Sequence, residues 1–425
     1  MFGIENAQSL IGLALTLGLC WAISENRRAF PWRLALGAIA IQVALVLLLF
    51  GVPAARSGLQ AMSGVVDGLG TSTQAGTRFV FGFLAGGDQP YPVGQAGLLF
   101  IFGFRVLPVI LVICALSALL WHWRILRWLT RGFGFLFQKS LGLRGPPALA
   151  VAATVFMGQV EGPIFIRAYL DRLTRSELFM LISVGMACVS GSTMVAYALI
   201  LKGVLANAAA HVLTASLISA PAGVLLAQVI VPPGPAETRD DFDHATLKGY
   251  ASSVDALIAG ASDGLTIVLN VGATLIVVVA LMAMADQLLA LAPAVGGGPV
   301  SIERGLGVLF APLAWAMGVR WSEAPAAGSL LGIKLVLTEF SAFIKLSQLG
   351  PAGLSARSRM IMTYALCGFA NIASVGINVA GYNVLVPARR GEVMGLVWKA
   401  LVAGFLATCM TGSIIGAMPA RLFGG

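Results

Sequence analysis

The chain has 425 residues, of which 58% are hydrophobic and only 11% charged. Soluble domains carry about twice that charge, so the composition excludes an ordinary soluble enzyme and reads as a polytopic membrane protein. The net charge of +9 does not point to nucleic acid: no basic run carries interleaved aromatics, and membrane proteins gather Lys and Arg in cytoplasmic loops.

The first apolar segment runs from about Ile11 to Ser24 and ends in the basic patch ENRRAFPWR. That patch places the loop in the cytoplasm and the N-terminus outside. The chain start lacks a basic n-region and a small-residue cleavage site, so no removable signal is expected. A second segment, Leu34 to Val52, returns outward. Pro53 to Gly70 is too mixed to span and is expected to lie in the outer interface, followed by a glycine-rich loop over Thr71 to Val93. The third segment, Ala96 to Trp121, comes inward to Trp121 and Trp123, with Arg124, Arg127, Arg131, Lys139 and Arg144 beyond.

Pro146 to Tyr169 is apolar but broken at Gly158 to Pro163, with basic residues on both flanks. Both ends therefore belong on the cytoplasmic side, which makes the stretch a re-entrant hairpin. Leu178 to Leu201 goes out, interrupted at Cys188 to Ser192. His211 to Val231 returns, and the polar stretch Pro232 to Gly249 is expected in the cytoplasm. Leu265 to Ala290 goes out, and Val300 to Glu323 is expected to be interfacial. Ala324 to Leu349 is broken around Thr338-Glu339-Phe340, and alternation puts both its ends outside. Met360 to Val386 carries a polar break at Asn371 to Ser374, and Val393 to Met418 exits.

The expected fold is thus all-α, with about eight transmembrane helices and two oppositely oriented re-entrant hairpins in an inverted repeat. Four parts follow: N-terminal helices and scaffold over 1–145, a first hairpin and broken helix over 146–232, a loop, scaffold helix and interfacial segment over 233–323, and a second hairpin and broken helix over 324–425. Both termini are expected on the outer, periplasmic side of a bacterial inner membrane. Cys20, Cys114, Cys188, Cys367 and Cys409 lie singly, with no CxxC or Cys/His spacing, so neither a disulfide framework nor a metal site is indicated. His122, His211 and His244 read as interfacial or loop residues.

Ionisable groups at membrane depth are costly and usually face a cavity. Glu161 and Glu339 each fall at the break of a hairpin, and two at matching places argue for more than helix capping. Gln159 both donates and accepts, which suits the edge of a nucleobase better than a simple ion. Asn371 and Ser374 sit three apart on one helix face, where with Glu339 they suit a hydroxyl-bearing ring; Phe369 could cover an apolar face, although spacing alone reads it as packing.

The stretches GQVEGP, RAYLDRLTRSELFMLISVGMACVSGSTMVAYA, GIKLVLTEFSAF and YALCGFANIASVGI, in this order, resemble the core of the bacterial concentrative nucleoside transporters over about Pro146 to Gly412. The resemblance implies a homotrimer in the membrane lipid, with a central scaffold, a transport domain that moves like an elevator, and symport of a nucleoside with a cation. It implies that Gly158, Gln159, Val160 and Glu161 face the base, with Thr193 from the broken helix, and that Glu339, Asn371 and Ser374, beside Phe369, hold the ribose. Val160 departs from the family by lacking a hydroxyl. Sodium-coupled relatives have an asparagine at Thr154 and a serine at Cys188, and use the backbone carbonyls of Met157 and Val189. Sulfur and a shorter side chain suit sodium poorly. The coupling ion is therefore expected to be a proton carried by Glu161 or Glu339, with sodium as the alternative and no other cofactor. An intramembrane enzyme acting on a nucleotide-linked lipid is a weaker reading, because no His/Asp or Ser/Lys constellation accompanies the glutamates. A channel would show charge rings or a filter repeat, and neither is present.

Overall fold

The computed structural model describes residues 4–88, 90, 101–105, 107–143, 145–159, 161–164, 166–234, 250–291, 293 and 300–423. Among these the chain is helical, with no strand. The helices are α1 (Ile4–Ala22), α2 (Trp32–Gly51), α3 (Pro53–Phe81), α4 (Phe102–Arg105), α5 (Pro108–His122), α6 (Ile125–Leu141), α7 (Gly145–Met157), α8 (Glu161–Ile164), α9 (Arg175–Ala187), α10 (Gly191–Ile200), α11 (Ala208–Ile230), α12 (Ser253–Leu289), α13 (Ile302–Ala316), α14 (Ala324–Val336), α15 (Glu339–Gln348), α16 (Gly350–Gly353), α17 (Ala356–Leu366), α18 (Ile372–Leu385) and α19 (Arg390–Ala417).

Among the described residues, five helical stretches are long and apolar enough to cross a bilayer: Trp32–Gly51, Gly103–His122, Ala208–Ile230, Ser253–Ala273 and Pro387–Ala417. The other expected crossings are α1 and the two broken pairs, α9 with α10 and α17 with α18. The first break, Cys188–Ser190, falls within the expected stretch; the second, Cys367–Asn371, lies earlier than expected and meets the expected Asn371 to Ser374 only at Asn371, because Asn371 caps α18 and residues 372–374 are its first turn.

The order of elements repeats. An amphipathic helix (α6), a helix–break–helix (α7 and α8), a broken pair (α9 and α10) and a long helix (α11) are followed, after α12, by α13, α14 and α15, α17 and α18, and α19. α11 and α19 pack on each other and on α9, and α17 packs on α19. Burial marks the centre: 89% of the Ala208–Ile230 window is buried, against 17% for Ser253–Ala273. α12 pairs chiefly with α5, while α1 packs along α19 and α2 along α11.

Two expectations change. Thr71 to Phe81 continues α3 as helix instead of forming a loop, although Thr71, Ser72, Thr73, Gly76 and Thr77 are poor helix formers; the helix stops at Gly82, whose φ of +57 few other residues adopt. His211 is a core residue, 3% exposed, its Nδ1 3.0 Å from the Tyr364 hydroxyl and its ring stacked on Phe50. Residues 91–93 of the expected outer loop, 96–100 at the start of the third segment, and 235–249 with His244 lie outside the described residues.

Glu25, in the turn between α1 and α2, accepts from Arg175 at 3.0 Å and Lys399 at 2.9 Å. It ties that turn to α9 and α19. The Arg175 guanidinium beside it holds its carboxyl below the usual carboxylate range.

Candidate functional site

The site is built from helix ends. A helix interrupted inside apolar surroundings leaves backbone N–H and C=O groups without intrahelical partners, and these must be met locally. At the first break Gly158 takes φ +121, which a side chain would strain. At the second, Ser216 of α11 clamps the backbone of Val189: its hydroxyl accepts from Val189 N and donates to Val189 O, both at 3.3 Å. The Cys188 thiol donates to Ser216 O at 3.5 Å. At the third, Thr338 caps α15 by accepting from Ser341 N. At the fourth, Asn371 caps α18 by accepting from Ser374 N at 2.8 Å.

Two breaks touch directly. Phe369 N donates to Cys188 O at 3.2 Å. The approach is close enough that a Cβ on Gly368 would lie 2.7 Å from Ala187 O.

Glu339 is the first residue of α15 and is 4% exposed. Its Oε1 accepts from the Tyr197 hydroxyl and its Oε2 from Asn371 Nδ2, both at 2.7 Å. The Tyr197 ring stacks on Phe343 and meets Phe340 edge-on, so α10 holds α15 by packing as well as by the hydroxyl. Beyond Asn371, Ser374 Oγ accepts from Gln159 Nε2 at 3.3 Å, and Gln159 Oε1 accepts from Asn378 Nδ2 at 2.8 Å. Asn378 Nδ2 also donates to Ser374 O at 2.9 Å. One chain of hydrogen bonds therefore runs Tyr197, Glu339, Asn371, Ser374, Gln159, Asn378. It joins both helix–break–helix stretches, α7 with α8 and α14 with α15, to both broken pairs.

Of the residues expected on the ribose side, Glu339, Asn371 and Ser374 are brought together, and Phe369 stands half-buried just before the cap. On the base side Gln159 joins them and Gly158 forms its turn. Val160 and the side chain of Glu161 lie outside the described residues; the Glu161 backbone opens α8. Thr193 is buried, and its hydroxyl donates to Ser190 O at 2.9 Å. At the ion-site equivalents, the Thr154 hydroxyl donates to Ala150 O of its own helix at 2.8 Å, Met157 ends α7, and Cys188 and Val189 are engaged by Ser216 as above.

Sequence reading missed three residues. Tyr197 and Asn378 sit in helices that read as apolar, where a lone tyrosine or asparagine suggests packing. Lys334 lies in one of the quoted stretches, GIKLVLTEFSAF, yet had no role. It is wholly buried in α14, donating to Ala365 O at 2.8 Å and to Thr408 Oγ1 at 2.6 Å, beneath the Phe405 ring. Ala365 lies in the last turn of α17, which ends at Leu366 before the fourth break, so the ammonium meets one of the carbonyls a helix end leaves without an intrahelical partner.

Comparisons with known proteins agree in kind. Two family models, described as "Na+ dependent nucleoside transporter" N-terminus and C-terminus, match residues 11–84 and 211–416. A third, described as "Nucleoside recognition", matches 103–203. The nucleoside permease NupC of Helicobacter pylori is 34% identical over 414 residues, covering 96% of each chain. Among solved structures, CNTnw in an inward-facing substrate-bound state is 35% identical, with a TM-score of 0.88 over 97% of each chain. A variant of CNTnw in an outward-facing state is likewise 35% identical and gives 0.90 over 97% of each.

Proposed function

The chain belongs to the concentrative nucleoside transporter family, and from that premise we propose that it carries nucleosides into the cell by proton symport. The observation that carries the reading is the hydrogen-bonded chain from Tyr197 to Asn378. Glu339 and Asn371 present a carboxylate and an amide suited to vicinal ribose hydroxyls, and Gln159 presents an amide suited to a base edge. Glu161, Val160, Gly158 and Thr193 complete the base side, and Phe369 lies along the substrate.

Proton coupling is the finer part of the proposal. Sodium wants several hard oxygen ligands, and here a thiol stands at Cys188 and a short hydroxyl, its hydrogen given to Ala150 O, at Thr154. Glu339 or Glu161 would carry the proton, as the carboxyl groups at the breaks of the two helix–break–helix stretches.

The division into moving and fixed parts follows packing. The pair α5 and α12 forms the scaffold, and the two hairpins, two broken pairs, α11 and α19 move as one body with α1 and α2. The hairpins re-enter from opposite faces, the first from the cytoplasm, with both chain ends on the periplasmic side of a bacterial inner membrane. Three chains assemble around α12, whose outer surface carries Ile276, Val277, Leu281, Met284 and Leu288, all more than half exposed in the single chain.

The test is uptake of a labelled nucleoside into proteoliposomes. Accumulation of unmodified nucleoside, driven by an imposed proton gradient, surviving sodium removal and collapsing with a protonophore, is the expected result. Modified product without accumulation would mark an enzyme, and strict sodium dependence would overturn the proton assignment.

A further inference from the structure

The amide orientations around Gln159 are forced by chemistry. Ser374 O is a backbone carbonyl and can only accept, so the Asn378 atom 2.9 Å from it is Nδ2. The Gln159 atom 2.8 Å from that same nitrogen must then be an acceptor, Oε1. Gln159 Nε2 is left for Ser374 Oγ, at 3.3 Å. One Nε2 hydrogen of Gln159 is used and one remains, while its oxygen is held by Asn378. Asn378 itself is wholly buried, and its Oδ1 has no hydrogen-bond partner among the described residues. A buried acceptor left unmet is costly, and such groups mark places where something else binds.

We propose that Asn378 is a specificity-determining residue: it locks Gln159 as a donor and, with its own Oδ1 as an acceptor, selects bases whose edge carries a carbonyl beside a ring N–H. Uracil and hypoxanthine have that edge. Cytosine and adenine carry an amino group beside a bare ring nitrogen, which reverses donor and acceptor. The inference rests on the nucleoside reading above, and it names the class of nucleoside within it. A site built to hydrogen-bond one pattern rejects the reversed pattern strongly, because buried donor then faces donor and acceptor faces acceptor.

Within each pair uridine–cytidine and inosine–adenosine, the sugar and ring size are the same. Proteoliposome uptake should give kcat/KM ratios of at least about tenfold in favour of uridine and inosine. 3-Methyluridine, in which the ring N–H is blocked, should be carried no better than cytidine. Asn378→Leu, which keeps volume but releases Gln159, should bring both ratios to within about twofold while uridine is still carried. Asn378→Asp can no longer donate to Gln159, so the amide turns over while the residue at 378 stays an acceptor, and the preference for uridine over cytidine should weaken without reversing. Wild-type ratios near one, 3-methyluridine carried as well as uridine, or a folded Asn378→Leu protein that keeps the wild-type ratios would overturn the proposal. So would a folded Asn378→Leu protein that carries none of the four nucleosides. The analogue measurements need no variant, so they decide the matter even if Asn378 substitutions do not fold. Absence of uptake for every nucleoside by the wild type would instead overturn the transport reading itself.

Discussion

Asn371 performs two tasks with one amide: its Oδ1 accepts from Ser374 N at 2.8 Å to cap α18, and its Nδ2 donates to Glu339 Oε2 at 2.7 Å. The start of one broken helix is thereby tied to the carboxylate that opens α15.

Those two tasks separate by substitution. Asn371→Ser keeps a capping oxygen but loses the donor to Glu339, so stability should hold to within about 1 kcal/mol while uptake efficiency falls. Glu339→Gln should be more severe. It removes a charged acceptor from the substrate hydroxyls, and hydrogen bonds to charged groups are worth roughly 1.5–3 kcal/mol each. Two such losses predict a KM rise of about a hundredfold or more. Initial uptake rates against nucleoside concentration, with melting temperatures alongside, measure both. Normal transport by Glu339→Gln would remove Glu339 from the site.

The site was legible in sequence where it breaks helices and illegible where it does not. Gly158, Thr338 and Asn371 are residues with known effects on helix ends, and polar residues in an apolar run draw notice. Asn378 and Tyr197 lie mid-helix, where only the three-dimensional meeting with Gln159 and Glu339 gives them meaning. The extent of α3 was missed because threonine, serine and glycine between Thr71 and Gly76 lower helix propensity without stopping a helix, and tertiary contacts decide such cases. His211 was misplaced for the same kind of reason: its buried partners Tyr364 and Phe50 are distant in sequence.

Lys334 should matter more to transport than to stability. Replacing a buried ammonium by an apolar chain of similar length relieves its desolvation cost, which offsets the lost bonds to Ala365 O and Thr408 Oγ1. The net change in Lys334→Met should stay within about 2 kcal/mol. Its bond to the Ala365 carbonyl, in the last turn of the helix that breaks just ahead of Asn371, is lost outright; a hydrogen bond to a charged group is worth roughly 1.5–3 kcal/mol, so uptake should fall at least about tenfold. Melting temperature and uptake measured on the same preparation decide this: a large melting shift with normal uptake by the folded fraction would make Lys334 structural only.

The Glu25 tie gives a pH dependence with a definite sign. Arg175, then Lys399, hold the Glu25 carboxyl below its ordinary value, so the folded state binds its proton less readily than the unfolded state. The stabilisation is present above the unfolded value of about 4.3 and is lost as pH falls through the lower folded value. The site is about one-third exposed, so its worth is about 1 kcal/mol at most. Glu25→Gln should melt slightly earlier than wild type at pH 7, and the two curves should converge in strong acid. A gap that persists unchanged to the lowest pH would show that the carboxylate contributes nothing.

The coupling assignment can be tested by restoring oxygen ligands. Thr154 presses against the turn of α8: a Cβ on Gly162 would meet its hydroxyl oxygen at 2.1 Å. Thr154→Asn together with Cys188→Ser would replace a short ligand and a soft one by two hard oxygens. Either change alone restores only one ligand of several and should do little. The double variant should be stimulated by sodium several-fold over choline, while the wild type shows a ratio near one. Equal sodium stimulation of wild type and double variant would mean that the native thiol and threonine already serve the ion, and that the proton is not the coupling species.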